Sequence, residues 1–272
     1  MPAPNEITTP QLLRLIGTPD CPALVDICIE ADHLADPYLI PGSFRHNFND
    51  ISGLVERLNG QPCVIICQKG KKLSQGLTAW LNSDGINAQY LKGGRLAWIA
   101  DQAAPRIAAK AHPIEGTSPS IWVTRHRPKI DRIACPWLIQ RFVDPKARFL
   151  FVAPSEVQEV ANRFGAQPFD IEGVHWSHRG ELCTFDVMLD EFGLRTKALD
   201  ELSLVIRAAD TNRHDLHPAA AGLLAVSVGL SKQYRNDVEQ LRAGLNIYDA
   251  LYLWARDGQS EQHDWPNSRG NS

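Results

Sequence analysis

Short apolar runs and segments of helical period alternate along the first hundred residues. The runs ALVDI, CVIIC and AQYL have the length of buried strands, while DISGLVERLNG and LSQGLTAWLNSDG carry apolar residues at helical spacing. Strands that alternate with helices in this way form a parallel sheet covered by helices. Ligands of such sheets bind beyond the carboxyl ends of the strands, which is where a site is expected.

One of these strand ends carries a thiol. The segment CQKGKKLS, residues 67–74, follows an apolar run, and no acidic residue occurs from Cys63 to Ser83. Backbone N–H groups of a strand-to-helix loop, together with the helix N-terminus, stabilise an anion and lower the pKa of a thiol placed among them. Gly70 allows the positive φ of a tight loop, and the lysines would attract an anionic substrate.

Two other interpretations of this loop stay open. Phosphatase loops place an arginine six positions after the cysteine, where its planar fork binds phosphate. This chain has Lys72 followed by Leu73 at that point, and lysine does not supply the fork. A lysine-rich surface turn without chemistry is the second alternative.

Four segments, in order, resemble a single rhodanese domain between about residues 7 and 100. They are LVDI (24–27), IPGSFRHN (40–47), CQKGKKLS (67–74) and YLKGGRLAW (90–98). The resemblance implies a sulfurtransferase in which Cys67 carries sulfane sulfur from a small anionic donor, such as thiosulfate, to a thiol or other acceptor. It also implies a persulfide cradle formed by Gln68, Lys69, Gly70, Lys71 and Lys72. The family often has arginine where this chain has Cys28 and the two lysines, which leaves the donor preference open.

Composition limits the remaining classes. The chain has 272 residues and a net charge of -3, which does not favour a nucleic-acid partner. The start lacks the pattern of a secretory signal, and AAAGLLAVSVGL (219–230) is shorter than the roughly 20 residues that span a bilayer. We therefore expect a cytoplasmic protein with free cysteines and no membrane partner, and a buried helix at 219–230.

The predicted organisation has two domains. A rhodanese-like α/β domain occupies residues 1–102, a flexible linker 103–119, a second domain 120–257 and a disordered tail 258–272. The second domain starts with the strands SIWVT and ARFLFV and is mainly helical after Thr196, so we expect an α+β, mostly helical fold.

Residues 120–255 resemble the C-terminal domain of chromate-resistance proteins of the ChrB type. The resemblance lies in PKIDRIACPWLIQRFVDPKARFLFV (128–152) and HWSHRGELCTFDVMLDEFGL (175–194). It implies a link to chromate or metal stress and assigns no chemistry to this half.

Residues 131–136 suggest a second reactive thiol. Pro136 suits the first position of a helix, which would make Cys135 the N-cap with a lowered pKa. The alternative is that Cys135 packs beneath Trp137. Asp131 and Arg132 either form a local ion pair or line a pocket.

After the thiols Cys67 and Cys135, a metal site in the second half is a further candidate site. The stretch HWSHRGELC places His175, His178, Glu181 and Cys183 within nine residues, and Asp210 follows an apolar helix face. Imidazole, carboxylate and thiolate suit Zn²⁺ or a similar divalent ion. We take His175, His178 and Asp210 as the candidate ligands, although each could instead be a solvated or core side chain. Sulfur transfer itself requires no cofactor.

Two whole-chain hypotheses follow. In the first, the chain is a sulfurtransferase whose Cys67 persulfide passes sulfur to a diffusing thiol or, across the flexible linker, to Cys135 or Cys183. In the second, it is a non-catalytic sensor or resistance protein for chromate or another oxyanion, with a metal-binding second domain.

Overall fold

The computed structural model describes residues 5–108 and 119–261. Within these residues, the first half contains a parallel sheet in the order β1-β6-β5-β2-β4. Its strands are β1 (Glu6–Ile7), β2 (Ala23–Asp26), β4 (Ser43–Arg45), β5 (Cys63–Ile66) and β6 (Ala88–Leu91). The helices of this half are α1 (Thr9–Leu15), α2 (Glu30–Ala35), α3 (Ile51–Leu58), α4 (Lys72–Ser83) and α5 (Gly94–Ala100). The predicted α/β class of this half is confirmed.

The second half adds a three-stranded parallel sheet, in the order β10-β8-β9, within the described part of the chain. Its strands are β8 (Ile121–Arg125), β9 (Arg148–Val152) and β10 (Gln167–Pro168). The α-helices are α6 (Asp131–Leu138), α7 (Val157–Phe164), α8 (Thr184–Phe192), α9 (Lys197–Asp210), α10 (Ala220–Gln233) and α11 (Asp237–Leu253). Shorter helical turns lie at Ile139–Val143, Pro154–Glu156 and Trp254–Gly258. The prediction of a mostly helical α+β half is confirmed.

The first residues of the predicted linker pack against the first half. Ile107–Ala108 forms strand β7, which pairs antiparallel with β3 (Tyr38–Leu39), and Pro105 O accepts a hydrogen bond from Trp98 Nε1 at 3.0 Å. Residues 109–118 of the linker and 262–272 of the predicted disordered tail lie outside the described residues.

The two halves share one apolar core. Phe142 and Tyr252 from the second half belong to the same buried cluster as Leu12 and Trp98 from the first. A Cβ atom at Gly17 would collide with Phe142 and would lie 2.8 Å from Tyr252 Cε1. The two halves are thus in direct apolar contact as well as connected along the chain.

The side chains of β5 alternate between two different cores. Val64 and Ile66 point into the core shared with the second half. Cys63, Ile65 and Cys67 point to the opposite face of the sheet, into a separate cluster closed by α3 and α4. Because strand side chains alternate with period two, the thiol of Cys67 lies on the face away from the second half.

Helix α10 is less buried than its composition suggests. Its buried side chains are Ala220, Leu223, Ser227 and Ser231, whereas Val226 and Val228 are exposed. The predicted burial on most sides is wrong, since only one side of the helix packs against the protein. No helix among the described residues is both long enough and apolar enough to cross a membrane.

The shared core predicts a single cooperative unfolding transition. Phe142→Ala should lower the free energy of unfolding by about 3–5 kcal/mol, because it opens a cavity where the halves meet. Denaturant unfolding followed by circular dichroism and by tryptophan fluorescence should show one transition that moves to lower denaturant in both signals. Val226→Ala, at an exposed position, is the matched control and should leave the midpoint unchanged. Two transitions, of which only one responds to Phe142→Ala, would contradict the shared core.

Candidate functional site

Cys67 lies where the carboxyl end of β5 turns into α4. The loop reaches the helix in four residues, and Gly70 within it has φ +62°. A Cβ at Gly70 would collide with Leu91 O and would lie 2.6 Å from Gly93 N. Glycine is therefore required here both for the backbone conformation and for the close approach of the neighbouring chain.

The sulfur of Cys67 takes the place of the N-cap side chain of α4. Lys71, the N-cap residue, makes no side-chain capping bond. The backbone N–H groups of Ser74, Lys71 and Lys69 donate to Cys67, and Cys67 Sγ lies 3.2 Å from Ser74 Oγ. Ser74 N–H is one of the free N–H groups of the first helical turn, Lys71 N–H belongs to the N-cap residue, and Lys69 N–H comes from the preceding loop.

This arrangement sets the pKa of Cys67. Burial raises the pKa, but hydrogen bonds with the Ser74 hydroxyl and with the backbone N–H groups of Ser74, Lys71 and Lys69 outweigh it. The net result is a pKa below the ordinary thiol value. A lower pKa increases the fraction of thiolate, which is the nucleophilic form.

The segment that follows Gly93 and Gly94 holds the other side of the loop through backbone hydrogen bonds. Arg95 N–H donates to Cys67 O at 3.0 Å, and Leu96 N–H donates to Gln68 O at 3.1 Å. Gly94 has φ +61°, and a Cβ there would collide with Cys67 O and would lie 2.7 Å from Gln68 O. The loop carbonyl groups are thus bonded on the outside, which leaves the N–H groups free to face the sulfur.

The side chains of the loop contribute less to the thiol than its backbone. Lys69, Lys71 and Lys72 are exposed, so their charges face solvent around the loop. Gln68 Nε2 donates to Asp32 Oδ1 of α2 at 2.8 Å. The amide of Gln68 is therefore bonded to α2 and not to the thiol. Within the predicted cradle of residues 68–72, the contacts to Cys67 thus come from the backbone, and Ser74 adds a side-chain contact.

A buried ion pair supports the same sheet edge. Asp26 ends β2 beside β5, and its Oδ2 lies 3.8 Å from Arg95 NH1. Asp26 Oδ1 accepts a hydrogen bond from Cys28 N at 2.8 Å. Arg95 also donates to Tyr38 O at 2.6 Å, so the segment after Gly94 is fastened to two neighbouring elements.

The other candidate thiols are enclosed. Cys135 and Cys183 are fully buried, and burial raises the pKa of both well above the ordinary value. The prediction of Cys135 as an N-cap is wrong, because α6 begins at Asp131. Ala134 N–H already donates to Ile130 O at 2.8 Å, so the helix has formed before the chain reaches Pro136. The alternative, Cys135 packed in the core with Trp137, describes the structure.

Neither thiol is placed to accept sulfur from Cys67. Both belong to the core shared by the two halves, whereas Cys67 belongs to the cluster on the opposite face of the sheet. The packed interface also removes the freedom that a tethered transfer requires. The geometry thus opposes the relay inferred from the sequence.

A second group of polar side chains gathers in the second half. His178 Nε2 lies 3.5 Å from Asp131 Oδ2, 3.4 Å from Asp170 Oδ1 and 3.3 Å from Asp210 Oδ2. Of the three predicted ligands, His178 and Asp210 are brought together. His175 is exposed, and its Nε2 lies 3.5 Å from Glu191 Oε2 instead.

Asp131 and Arg132 bind different partners rather than each other. Arg132 Nε lies 3.2 Å from Asp170 Oδ2, while Asp131 Oδ2 accepts a hydrogen bond from Thr184 N at 2.6 Å. The local ion pair considered from the sequence does not form, because Asp131 points towards the N-terminus of α8 rather than along its own helix.

Two residues that contact the candidate site residues were not predicted from the sequence. Ser74 stands within the quoted loop, and its position in the first turn of α4 was the available signal. Asp170 carries no such signal: it follows the two-residue strand β10 at φ 52°, and only the tertiary fold brings it to His178.

Removal of the Ser74 hydroxyl tests the origin of the lowered pKa. Ser74→Ala should raise the pKa of Cys67, because the thiolate loses a charge-assisted hydrogen bond. The pH profile of Cys67 alkylation by iodoacetamide, followed by peptide mass spectrometry, should then move to higher pH. Ser83→Ala is the matched control, since its exposed hydroxyl on the same helix donates to Trp80 O. An unshifted profile in Ser74→Ala would show that the hydroxyl does not stabilise the thiolate.

Comparison with known proteins gives a separate result for each half. Protein ChrB from Cupriavidus metallidurans is 35% identical over 132 residues, which are 48% of this chain and 39% of that protein. The chain thus matches less than two fifths of the length of this relative.

Solved structures match the first half. A rhodanese-like domain protein from Staphylococcus aureus is 25% identical, with a TM-score of 0.30, over 35% of this chain and 90% of that one. A thiosulfate sulfurtransferase from Pseudomonas aeruginosa is 23% identical, with a TM-score of 0.33, over 40% of this chain and 20% of that one. The family model described as ChrB, C-terminal domain, matches residues 122–255, so this segment is similar to that family.

Proposed function

We propose that this chain is a rhodanese-type sulfurtransferase with Cys67 as its nucleophile. The observation that carries the proposal is the group of backbone N–H donors from Lys69, Lys71 and Ser74 directed at one thiol of lowered pKa. Among the cysteines with a resolved shift, the others have raised pKa values; Cys21 and Cys63, for example, are raised to about 12 because they are buried.

The chemistry consists of two displacements at sulfur. The Cys67 thiolate attacks the outer sulfur of thiosulfate, the sulfur–sulfur bond of the donor breaks, and sulfite leaves with the electron pair. Cys67 then carries a persulfide anion. An acceptor thiolate or cyanide attacks the terminal sulfur, and Cys67 leaves as thiolate. The N–H groups that stabilise the thiolate also suit the persulfide anion, because both place negative charge beside the same helix start.

The acceptor is a small diffusing nucleophile. Cys67 is only 6% exposed, so a large acceptor surface would not reach its sulfur. The two internal thiols first considered as acceptors are buried on the far side of the sheet. A low-molecular-weight thiol fits both constraints.

A chromate or oxyanion response without turnover is the second candidate. The match of residues 122–255 to the ChrB C-terminal domain favours it. In this case the loop at Cys67 would bind an oxyanion through the same N–H groups, with no sulfur transferred. The two candidates differ in whether a covalent persulfide forms.

Persulfide formation on Cys67 is the direct test. Incubation with thiosulfate should add one sulfur atom to the intact protein, located on Cys67 by peptide mapping, and Cys67→Ser should abolish both this gain and thiocyanate formation from cyanide. Cys21→Ser is the matched control, because Cys21 is only partly buried and lies outside the loop. Chromate binding with no persulfide on Cys67 would instead establish the second candidate.

Charge around the loop should govern donor capture. Lys71→Gln with Lys72→Gln removes positive potential but no backbone N–H, so KM for thiosulfate should rise and kcat should change little. Added salt should affect the double variant less than the parent, because exposed charges are screened. Lys197→Gln with Lys232→Gln, in the second half, is the control for net charge. An unchanged KM and salt response would show that the backbone alone captures the donor.

A further inference from the structure

Three carboxylates surround one imidazole nitrogen in the second half. They come from distant parts of the chain: Asp131 opens α6, Asp170 follows β10 and Asp210 ends α9. His178 reaches them from the loop before α8. Asp131, Asp170 and His178 each offer one ligand atom, and these atoms lie within 4.8 Å of one another.

The separations are longer than those of strong charge-assisted hydrogen bonds. An imidazolium donating to a carboxylate has N···O separations of about 2.7–2.9 Å, and Nε2 carries one proton for one acceptor. Here Nε2 is 3.3–3.5 Å from three oxygens of three different residues. Ligands about 2.1 Å from a tetrahedral metal ion are about 3.4 Å from each other. Nearly equal separations of this length are thus expected around a shared cation.

The buried member of the group has an unused oxygen. Asp131 is fully buried, and its Oδ1 has no hydrogen-bond partner among the described residues. In the same part of the chain, no lysine or arginine forms an ion pair with Asp131 or Asp210; Arg125 and Arg132 both contact Asp170. A buried carboxylate is costly unless a positive charge lies beside it, and a metal ion bound here would supply that charge to all three carboxylates together.

Neighbouring groups hold the carboxylates in place. Thr184 N–H donates to Asp131 Oδ2 at 2.6 Å, and Thr184 Oγ1 donates to Asp170 Oδ1 at 3.0 Å. Such contacts orient ligands and are typical of the surroundings of a metal ion. The opposite side is open, because His178 is 39% exposed and Asp210 is 21% exposed, so an external ligand could complete the coordination.

We propose that Asp131, Asp170 and His178, with Asp210 beside them, bind one divalent first-row transition-metal ion. Carboxylate oxygens with a single imidazole suit ions such as Zn²⁺ and Mn²⁺ and do not select the thiolate-preferring ions. This site differs from the ligand set expected from sequence, because it excludes His175 and adds two aspartates. It is independent of sulfur transfer at Cys67.

Metal titration of the chelator-treated full chain tests the site. Calorimetry with Zn²⁺ and, separately, with Mn²⁺ should show uptake of one ion per chain for at least one of the two metals. His178→Ala and Asp170→Asn should each weaken this binding by more than about tenfold, which is the least that loss of even a supporting residue causes. Asparagine tolerates the positive φ of position 170, so the second variant preserves the fold if the first does not.

Two control variants test whether other side chains of the protein bind the metal. His175→Ala removes an exposed histidine three residues away and should leave the affinity unchanged. Cys67→Ser should also leave it unchanged, and bound Co²⁺ should show ligand-field bands without thiolate charge transfer. The proposal is overturned by no stoichiometric uptake of either metal, by uptake that survives both His178→Ala and Asp170→Asn, or by loss of uptake in His175→Ala. A protonated His178 in a purely ionic cluster would give the first of these results.

Discussion

The backbone hydrogen bonds from Arg95 and Leu96 to the carbonyl groups of Cys67 and Gln68 are the constraint on which the first site depends. They fix the outer side of the loop, so the loop N–H groups turn towards the sulfur. Gly94 is required because any side chain there would collide with Cys67 O. Two strand ends and a glycine pair thus position a thiol of lowered pKa, and the exposed lysines around it would attract an anionic donor in the proposed function.

The sheet separates the two sites. Alternation along β5 directs Cys67 into the cluster formed with α3 and α4, while Val64 and Ile66 pack towards the second half. The proposed persulfide site therefore lies on the face of the sheet away from the second half, which carries the proposed metal site. Such packing lets stability be shared between the halves while the chemistry at each site remains local.

Local features were predictable from the sequence, and long-range assemblies were not. The structure confirms the predicted strand ending at Ile66, the loop after Cys67 and the helix that follows. These elements were predictable because neighbouring residues determine them. The packing of Phe142 against Gly17 depends on which apolar faces meet, and periodicity does not show the partner. Asp170 reaches His178 only through the fold of the second half. The start of α6 was predicted five residues too late, at Pro136. Proline is common at the first position of a helix, and the sequence does not distinguish that position from one inside a helix.

The most direct measurement is a crystal structure of the protein after exposure to thiosulfate. The account predicts electron density for one additional sulfur on Cys67, with the terminal sulfur inside the loop and within hydrogen-bond range of the N–H groups of Lys69, Lys71 and Ser74. Unmodified Cys67, or a sulfur atom on another cysteine with this loop empty, would contradict it.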